Sequence, residues 1–254
     1  MIAKLRMKLE IQAGELSFHY GSLMQGVLME KIDSSYAGKM HSGALNPYSQ
    51  AIYQTSGQYF WEINALNQEA KEEILDVIAK SEEFFIKKKN QRVKVTEKTY
   101  SEVKKKELVR EFYEEEAGNL FKITFFTPTA FKQKGQYTFV PDIRCIYQSL
   151  MNKYDAATSM DEVFDEDMLE CLTEHTTIQN YNLRSVRFGM EGTAIPAFVG
   201  TLTLKVSAQQ TIVNFANLLF TFANYCGIGI KTSIGMGKVE IEQVRRRRSD
   251  KTTE

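Results

Sequence analysis

An α+β fold is predicted by three features of this sequence. An alternating strand opens each half of the chain, a hairpin pattern sits in the middle of each half, and helical patterns flank both hairpins. Two copies of the order βαββαβ make two tandem ferredoxin-like modules. The chain has 254 residues, of which 43 % are hydrophobic, and suits one large domain or two small ones. The expected division is 1–112 for the first module, 113–244 for the second, and 245–254 for a disordered basic tail.

In the first half, Leu5, Met7, Leu9 and Ile11 alternate with Arg6, Lys8 and Glu10, which reads as a half-buried strand. Met24, Leu28 and Ile32 recur every four residues as a helix. Ser34-Ser35 then caps a short second helix through Tyr36, Ala37 and Met40, stopped by Gly43. Tyr48 to Gln54 and Gln58 to Leu66 read as strands around Thr55-Ser56-Gly57, a hairpin signal. Asn67 caps a helix containing Ile74 and Ile78, with Lys87-Lys88-Lys89 at its negative end. Gln91 to Tyr100 closes the unit as a strand.

The second half begins with a strand over Leu120 to Thr127, after a break near 111–119. Helices are expected over Ile143 to Tyr154 and Asp165 to Glu174. Tyr181 to Met190 and Ala197 to Val206 read as a hairpin, with Phe198, Leu202, Leu204 and Val206 inward. Gln209 to Tyr225 is helical, its polar stripe Asn214, Asn217, Thr221 and Asn224 lying opposite Ile212, Phe215, Leu219 and Phe222. A last strand runs from Val239 to Ile241.

Lys plus Arg equals Asp plus Glu at 32 each, so net charge does not announce a nucleic-acid binder. Basic runs (Lys87-Lys88-Lys89, Lys104-Lys105-Lys106, Arg245-Arg246-Arg247-Arg248) alternate with acidic ones (Glu114-Glu115-Glu116, and 161–167), a pattern of solvated faces. No run of about 18 apolar residues occurs, and the N-terminus alternates instead of reading as a signal peptide; a soluble, cytoplasmic protein with no membrane partner is expected. Cys145, Cys171 and Cys226 are too few and too scattered for a disulfide framework.

Chemistry concentrates in few places. The stretch Gly227-Ile228-Gly229-Ile230-Lys231-Thr232-Ser233-Ile234-Gly235-Met236-Gly237 sets two Gly-x-Gly pairs around Lys-Thr-Ser, between a helix and a strand. It is not a Walker loop, because Ile230 stands where glycine must precede the lysine and a helix precedes the loop. The dinucleotide fingerprint fails at Thr232. Backbone N–H groups with Lys231, Thr232, Ser233 and Gly235 suit a phosphate; alternatively, the glycines let the loop pack between the two modules. Further basic surfaces that could meet phosphates are Arg184 and Arg187 on the hairpin, and Lys132 and Lys134.

Three histidines limit the search for a catalyst. His175 and Cys171 are four apart, but no third ligand accompanies them, so neither a metal site nor any other cofactor is expected. His41 sits at a helix C-terminus, which favours the imidazolium by roughly 0.3–1 kcal/mol and suits a general acid.

The segment Tyr20-Gly21-Ser22-Leu23-Met24-Gln25-Gly26-Val27-Leu28, followed by Tyr36-Ala37-Gly38-Lys39-Met40-His41, resembles the first helix and catalytic-histidine motif of the CRISPR repeat-processing endoribonucleases. Thr127-Pro128-Thr129-Ala130-Phe131-Lys132, with Tyr137, Phe139 and Pro141, resembles the opening of that family's second module. The glycine stretch resembles its C-terminal glycine-rich loop. The resemblance covers residues of about 20 to 240 and places His41 at the family's general-acid position. Two positions depart from the pattern: Met29 stands where some members have a tyrosine, and Asn46-Pro47 where they have a lysine. His19, at the other end of the first helix, is the candidate for the second catalytic group, ahead of Tyr20, Lys39 and Tyr48.

The resemblance implies a metal-independent endoribonuclease that cuts CRISPR precursor RNA within its repeats. A 2′-hydroxyl attack would leave a 2′,3′-cyclic phosphate and a 5′-hydroxyl. Implied partners are the precursor and processed guide RNA and a CRISPR effector complex, with the protein a monomer or homodimer. The alternative is a non-catalytic RNA-binding subunit of such a complex.

Overall fold

The first strand, β1 (Ile2–Ile11), buries Leu5, Met7 and Leu9 as the alternation requires, and is central to its sheet. The computed structural model describes residues 1–11, 14–42, 45–114, 117–158, 164–190 and 192–244, with the backbone alone at 41, 42, 105, 108, 111, 112 and 114. The expected helix stop at Gly43 and the tail 245–254 lie outside the described residues.

After β1 come α1 (Gly21–Lys31) and α2 (Ser34–Ser42). The cap of α2 is Asp33 rather than Ser34-Ser35: its Oδ1 accepts from the N–H groups of Ser35 and Tyr36 and from the Ser35 hydroxyl. β2 (Tyr48–Thr55) and β3 (Gln58–Ala65) form the expected hairpin, turned by Ser56 and Gly57 at φ 50° and 72°. Asn67 caps α3 (68–78) by accepting from Ala70 N–H at 2.8 Å. The helix then ends earlier than expected. Residues Glu83–Ile86 form a short strand, β4, because Phe84 and Ile86 alternate inward with exposed Phe85 between them. Lys87–Lys89 make the turn into β5 (Gln91–Val103) rather than a helix end, with Asn90 left-handed at φ 48°. All pairs in this sheet are antiparallel and its order is β2-β3-β1-β5-β4.

α4 (Lys105–Glu114) lies partly across the expected break and packs along the last long helix. The second module comprises β6 (Leu120–Thr129), the small hairpin β7 (Phe131–Gln133) and β8 (Gln136–Thr138), α5 (Ile143–Thr158), α6 (Glu166–Glu174), β9 (Thr176–Met190), β10 (Thr193–Val206), α7 (Gln210–Cys226) and β11 (Val239–Gln243). Its sheet order, β11-β6-β10-β9, is the ferredoxin-like order, and the first sheet repeats it with β4 added at one edge. β9 and β10 extend beyond the expected limits because β10 pairs β9 along nearly its whole length. The polar stripe of α7 is used internally: Asn224 Oδ1 accepts from Ile241 N–H of β11, and Asn214 Oδ1 from Ala117 N–H.

Each module has its own core, and a third, smaller cluster joins them. That junction packs Phe18, ahead of α1, with Phe188 and Ile195 of the long hairpin and Met236 of the glycine loop. The loop between α7 and β11 thus sits where the two modules meet.

Candidate active site

The glycine loop is anchored from below by α5. Lys153 Nζ donates to the carbonyls of Gly227 (2.9 Å) and Cys226 (3.5 Å), where α7 ends, so a cation meets the negative end of that helix. One turn earlier, Ser149 Oγ accepts from Gly229 N–H at 2.9 Å. Burial depresses the Lys153 ammonium to about 8. Sequence reasoning missed this residue. The signal was present, because Lys153 continues the buried stripe of Ile146, Leu150 and Ala157 at helical spacing.

The four loop glycines face the chain's own backbone. Gly227, Gly229, Gly235 and Gly237 all have positive φ (69°, 82°, 107° and 70°). A Cβ on Gly229 would meet Ala130 O at 2.3 Å, and one on Gly237 would meet Ile228 O at 2.1 Å. At Gly235 the obstacle is Gly21 Cα of α1, at 2.7 Å, across the module junction. The N–H groups of Gly227, Gly229 and Gly237 donate to Ala223 O, Ser149 Oγ and Pro128 O. Of the two sequence readings, packing between the modules therefore accounts for these glycines. Gly235 as an RNA-contacting residue is corrected accordingly: it is buried against Gly21.

Above the loop opens a cleft of about 760 Å³ lined by both modules. Asn46 and Pro47 form one wall, Lys132 and Tyr137 of the β7–β8 hairpin another, and Lys231 to Ile234 the floor. Lysines outnumber acids in this lining, with Lys132, Lys153 and Lys231 against Asp155. Ser233 touches the cleft but is only 7 % exposed, and its Oγ accepts from Asn46 Nδ2 at 2.9 Å.

The sequence model of the family described as "CRISPR-associated endoribonuclease Cas6" matches residues 123–239. A CRISPR-associated endoribonuclease Cas6 from Streptococcus thermophilus is 34 % identical over 218 residues, covering 86 % of this chain and 89 % of that protein. Another from Mycobacterium tuberculosis is 30 % identical over 247 residues, covering 95 % and 78 %. The chain belongs to the Cas6 family. Among solved structures, a Cas6 product complex superimposes with a TM-score of 0.77 at 22 % identity, over 95 % of this chain and 99 % of that one. The tandem ferredoxin-like architecture is shared.

In this Cas6-family chain the predicted site residues fall into three groups. Lys132, Lys231, Thr232 and Ser233 come together in the cleft. His41 is the next-to-last residue of α2, with its side chain outside the described residues; the chain is described again from Leu45, at the cleft wall. His19 is exposed in a single 3-10 turn (Phe18–Tyr20) that leads into α1, its ring 4.4 Å from Phe18. Lys134 caps the β7–β8 turn at φ 48° and does not line the cleft. Arg184 and Arg187 are both exposed and lie three residues apart on a regular strand, so they point to opposite faces of the sheet. Arg184 shares a face with Val186 and Phe188, which pack in the junction with Phe18; Arg187 shares the other with Leu183.

Two of the three weaker catalytic candidates are occupied. Tyr20 OH donates to Gln91 Oε1 at 3.2 Å, and Lys39 pairs with Glu69 at 3.0 Å. Burial pushes the Tyr48 phenol up to about 12. His175 Nδ1 lies 2.8 Å from Cys171 O at the end of α6. Among the described residues, no three His, Cys, Asp or Glu side chains are grouped to hold a metal ion, and no helix is long and apolar enough to cross a membrane.

Proposed function

We propose that this chain is a metal-independent endoribonuclease that cuts CRISPR precursor RNA within its repeats. The observation that carries the reading is convergence. In a chain of the Cas6 endoribonuclease family, the segment following His41 and the lysines Lys132 and Lys231 border one cleft, and Gly21, two residues after His19, lies against Gly235 of the same loop. RNA supplies its own nucleophile. A base takes the proton of the 2′-hydroxyl, the 2′-oxygen bonds to phosphorus, the bond from phosphorus to the 5′-oxygen breaks, and an acid protonates that oxygen. The products are a 2′,3′-cyclic phosphate and a 5′-hydroxyl. His41 is the acid and His19 the second group.

Lys132, Lys231 and Thr232 hold phosphates in the cleft, with Lys134 and Arg184 further along the strand of RNA. Cationic side chains at the crowded phosphate stabilise its developing charge, and alignment of the attacking oxygen contributes up to about 7–11 kcal/mol in favourable cases. The partners are precursor and product RNA, the second retained in or passed to an effector complex.

Labelled repeat RNA incubated with the protein in EDTA should yield one cut, the 5′ fragment ending in a cyclic phosphate by mass. His41→Ala should lower the single-turnover rate by roughly 10²-fold or more with repeat affinity nearly unchanged. Binding without cleavage by the wild type would favour the RNA-binding-subunit reading. Activity lost in EDTA and restored by Mg²⁺ or Mn²⁺ would overturn metal independence.

A further inference from the structure

We infer that the loop turn Thr232–Ile234 is a positioning element for both histidine segments of the other module, acting through Ser233, Asn46 and Gln50. The inference rests on the reading of His41 and His19 as catalytic. The turn belongs to the second module, yet the hydrogen bonds of Ser233 to Asn46 and Gln50 reach into the first. Gln50, on β2, is 2 % exposed and uses both ends of its amide: Oε1 accepts from Trp61 Nε1 at 2.9 Å, while Nε2 donates to Gly21 O (2.9 Å) and to Ser233 O (3.3 Å). One buried side chain therefore ties the first residue of α1 to the loop turn. Gly21 follows His19 by two residues, and its backbone lies against Gly235, where any Cβ on either glycine would collide.

The opposite side of the turn holds the segment that leads away from His41. Ser233 Oγ bonds Asn46 Nδ2 at 2.9 Å, and Asn46 Oδ1 is buried with no hydrogen-bond partner. Among the described residues, the bond to Ser233 is the one that fixes this amide, and a hydroxyl serves it in either amide orientation. Ser233 is held at its carbonyl by Gln50 and at its hydroxyl by Asn46, two residues on one stretch of the first module. A loop from one module fills the space between two segments of the other and sets their separation. The glycines are needed because that wedge must be thin. On this account Ser233 orients the histidines and does not grip RNA, which separates it from Lys231 and Thr232.

The three histidines make a sparse probe, with His175 as an internal reference at the C-cap of α6. Imidazole resonances are recorded for wild type, Ser233→Ala and Asn46→Ala, assigned with the single histidine-to-alanine variants. Both substitutions should move the His41 and His19 resonances and leave His175 in place. Both should lower single-turnover cleavage roughly 10-fold or more with repeat-RNA Kd within about 2-fold of wild type. The double variant should be no slower than the slower single one, because both changes cut one bond. Unmoved His19 and His41 resonances would overturn the inference, as would a loss confined to Kd. Should Ser233→Ala fail to fold, Asn46→Ala reports on the same bond from the partly exposed side. If the resonances move while His41→Ala and His19→Ala both cleave as wild type does, the catalytic reading fails and the positioning stands.

Discussion

Lys153 shows what one residue can do at the base of a site. Its ammonium is fully buried, donates to two carbonyls at the C-terminus of α7, and has its pKa lowered by desolvation to about 8 from 10.5. A group depressed in this way costs stability at low pH: below about 8 the charge must be carried into the interior in full. Between about 8 and 10.5 the unfolded chain holds more protons than the folded one, so stability rises with pH. Lys153→Met removes this titration. The stability of wild type relative to Lys153→Met, measured by denaturant titration, should therefore increase from pH 8 towards pH 10. A constant difference would mean that the ammonium is not desolvated.

At the scale of elements, two glycines separate local from long-range causes. Gly26 lies exposed in the middle of α1 with nothing near its absent Cβ, whereas Gly235 sits at φ 107° with Gly21 Cα in the way. Gly26→Ala should stabilise the protein by about 0.5–1 kcal/mol through helix propensity. Gly235→Ala should destabilise it by about 1–3 kcal/mol from the left-handed backbone alone, and by more from the contact. Melting of the two variants in parallel checks both signs. The same division explains what the sequence made legible. Period-two alternation in β1 and β10, the Asn67 cap and the Ser56-Gly57 turn are local, and they were read correctly. The strand β4 was missed because four residues of alternation were hidden behind a helix pattern and a lysine run. Lys153 stands on the apolar stripe of α5, but the carbonyls of Cys226 and Gly227 that make a lysine tolerable there lie 73 and 74 residues away. The bond from Asn46 to Ser233 joins residues 187 apart, and no local pattern encodes it.

The whole molecule depends on how the two modules are locked together, and one buried charge cluster does much of this. Glu62 of β3 is 3 % exposed, 2.6 Å from Lys238 of the second module and 3.6 Å from Lys4 of β1, and it accepts from Tyr53 OH at 3.0 Å. Around it, Arg6 lies 3.9 Å from the Phe60 ring centre, and Tyr53 contacts Phe126 of β6 across the junction at 5.2 Å. Burial alone would raise the Glu62 pKa, but Lys238 and Lys4 outweigh it and hold the carboxyl at about 2, below its ordinary 4.5. Its contribution is therefore present above about pH 4.5 and lost as pH falls towards 2. Glu62→Gln leaves the largely buried Lys238 ammonium and the partly buried Lys4 ammonium facing a neutral amide, and breaking a buried pair in this way typically costs about 3–5 kcal/mol. Denaturant unfolding at pH 7 should show that loss, and the variant's acid-unfolding limb between pH 4.5 and 2 should be shallower than the wild type's. Because the pair joins residues 176 apart in different modules, the loss should also appear as faster hydrogen exchange at Ser233 and Gly235 in the junction. An unchanged midpoint at pH 7 would show that the apolar junction around Phe18 and Met236 holds the modules without the charges.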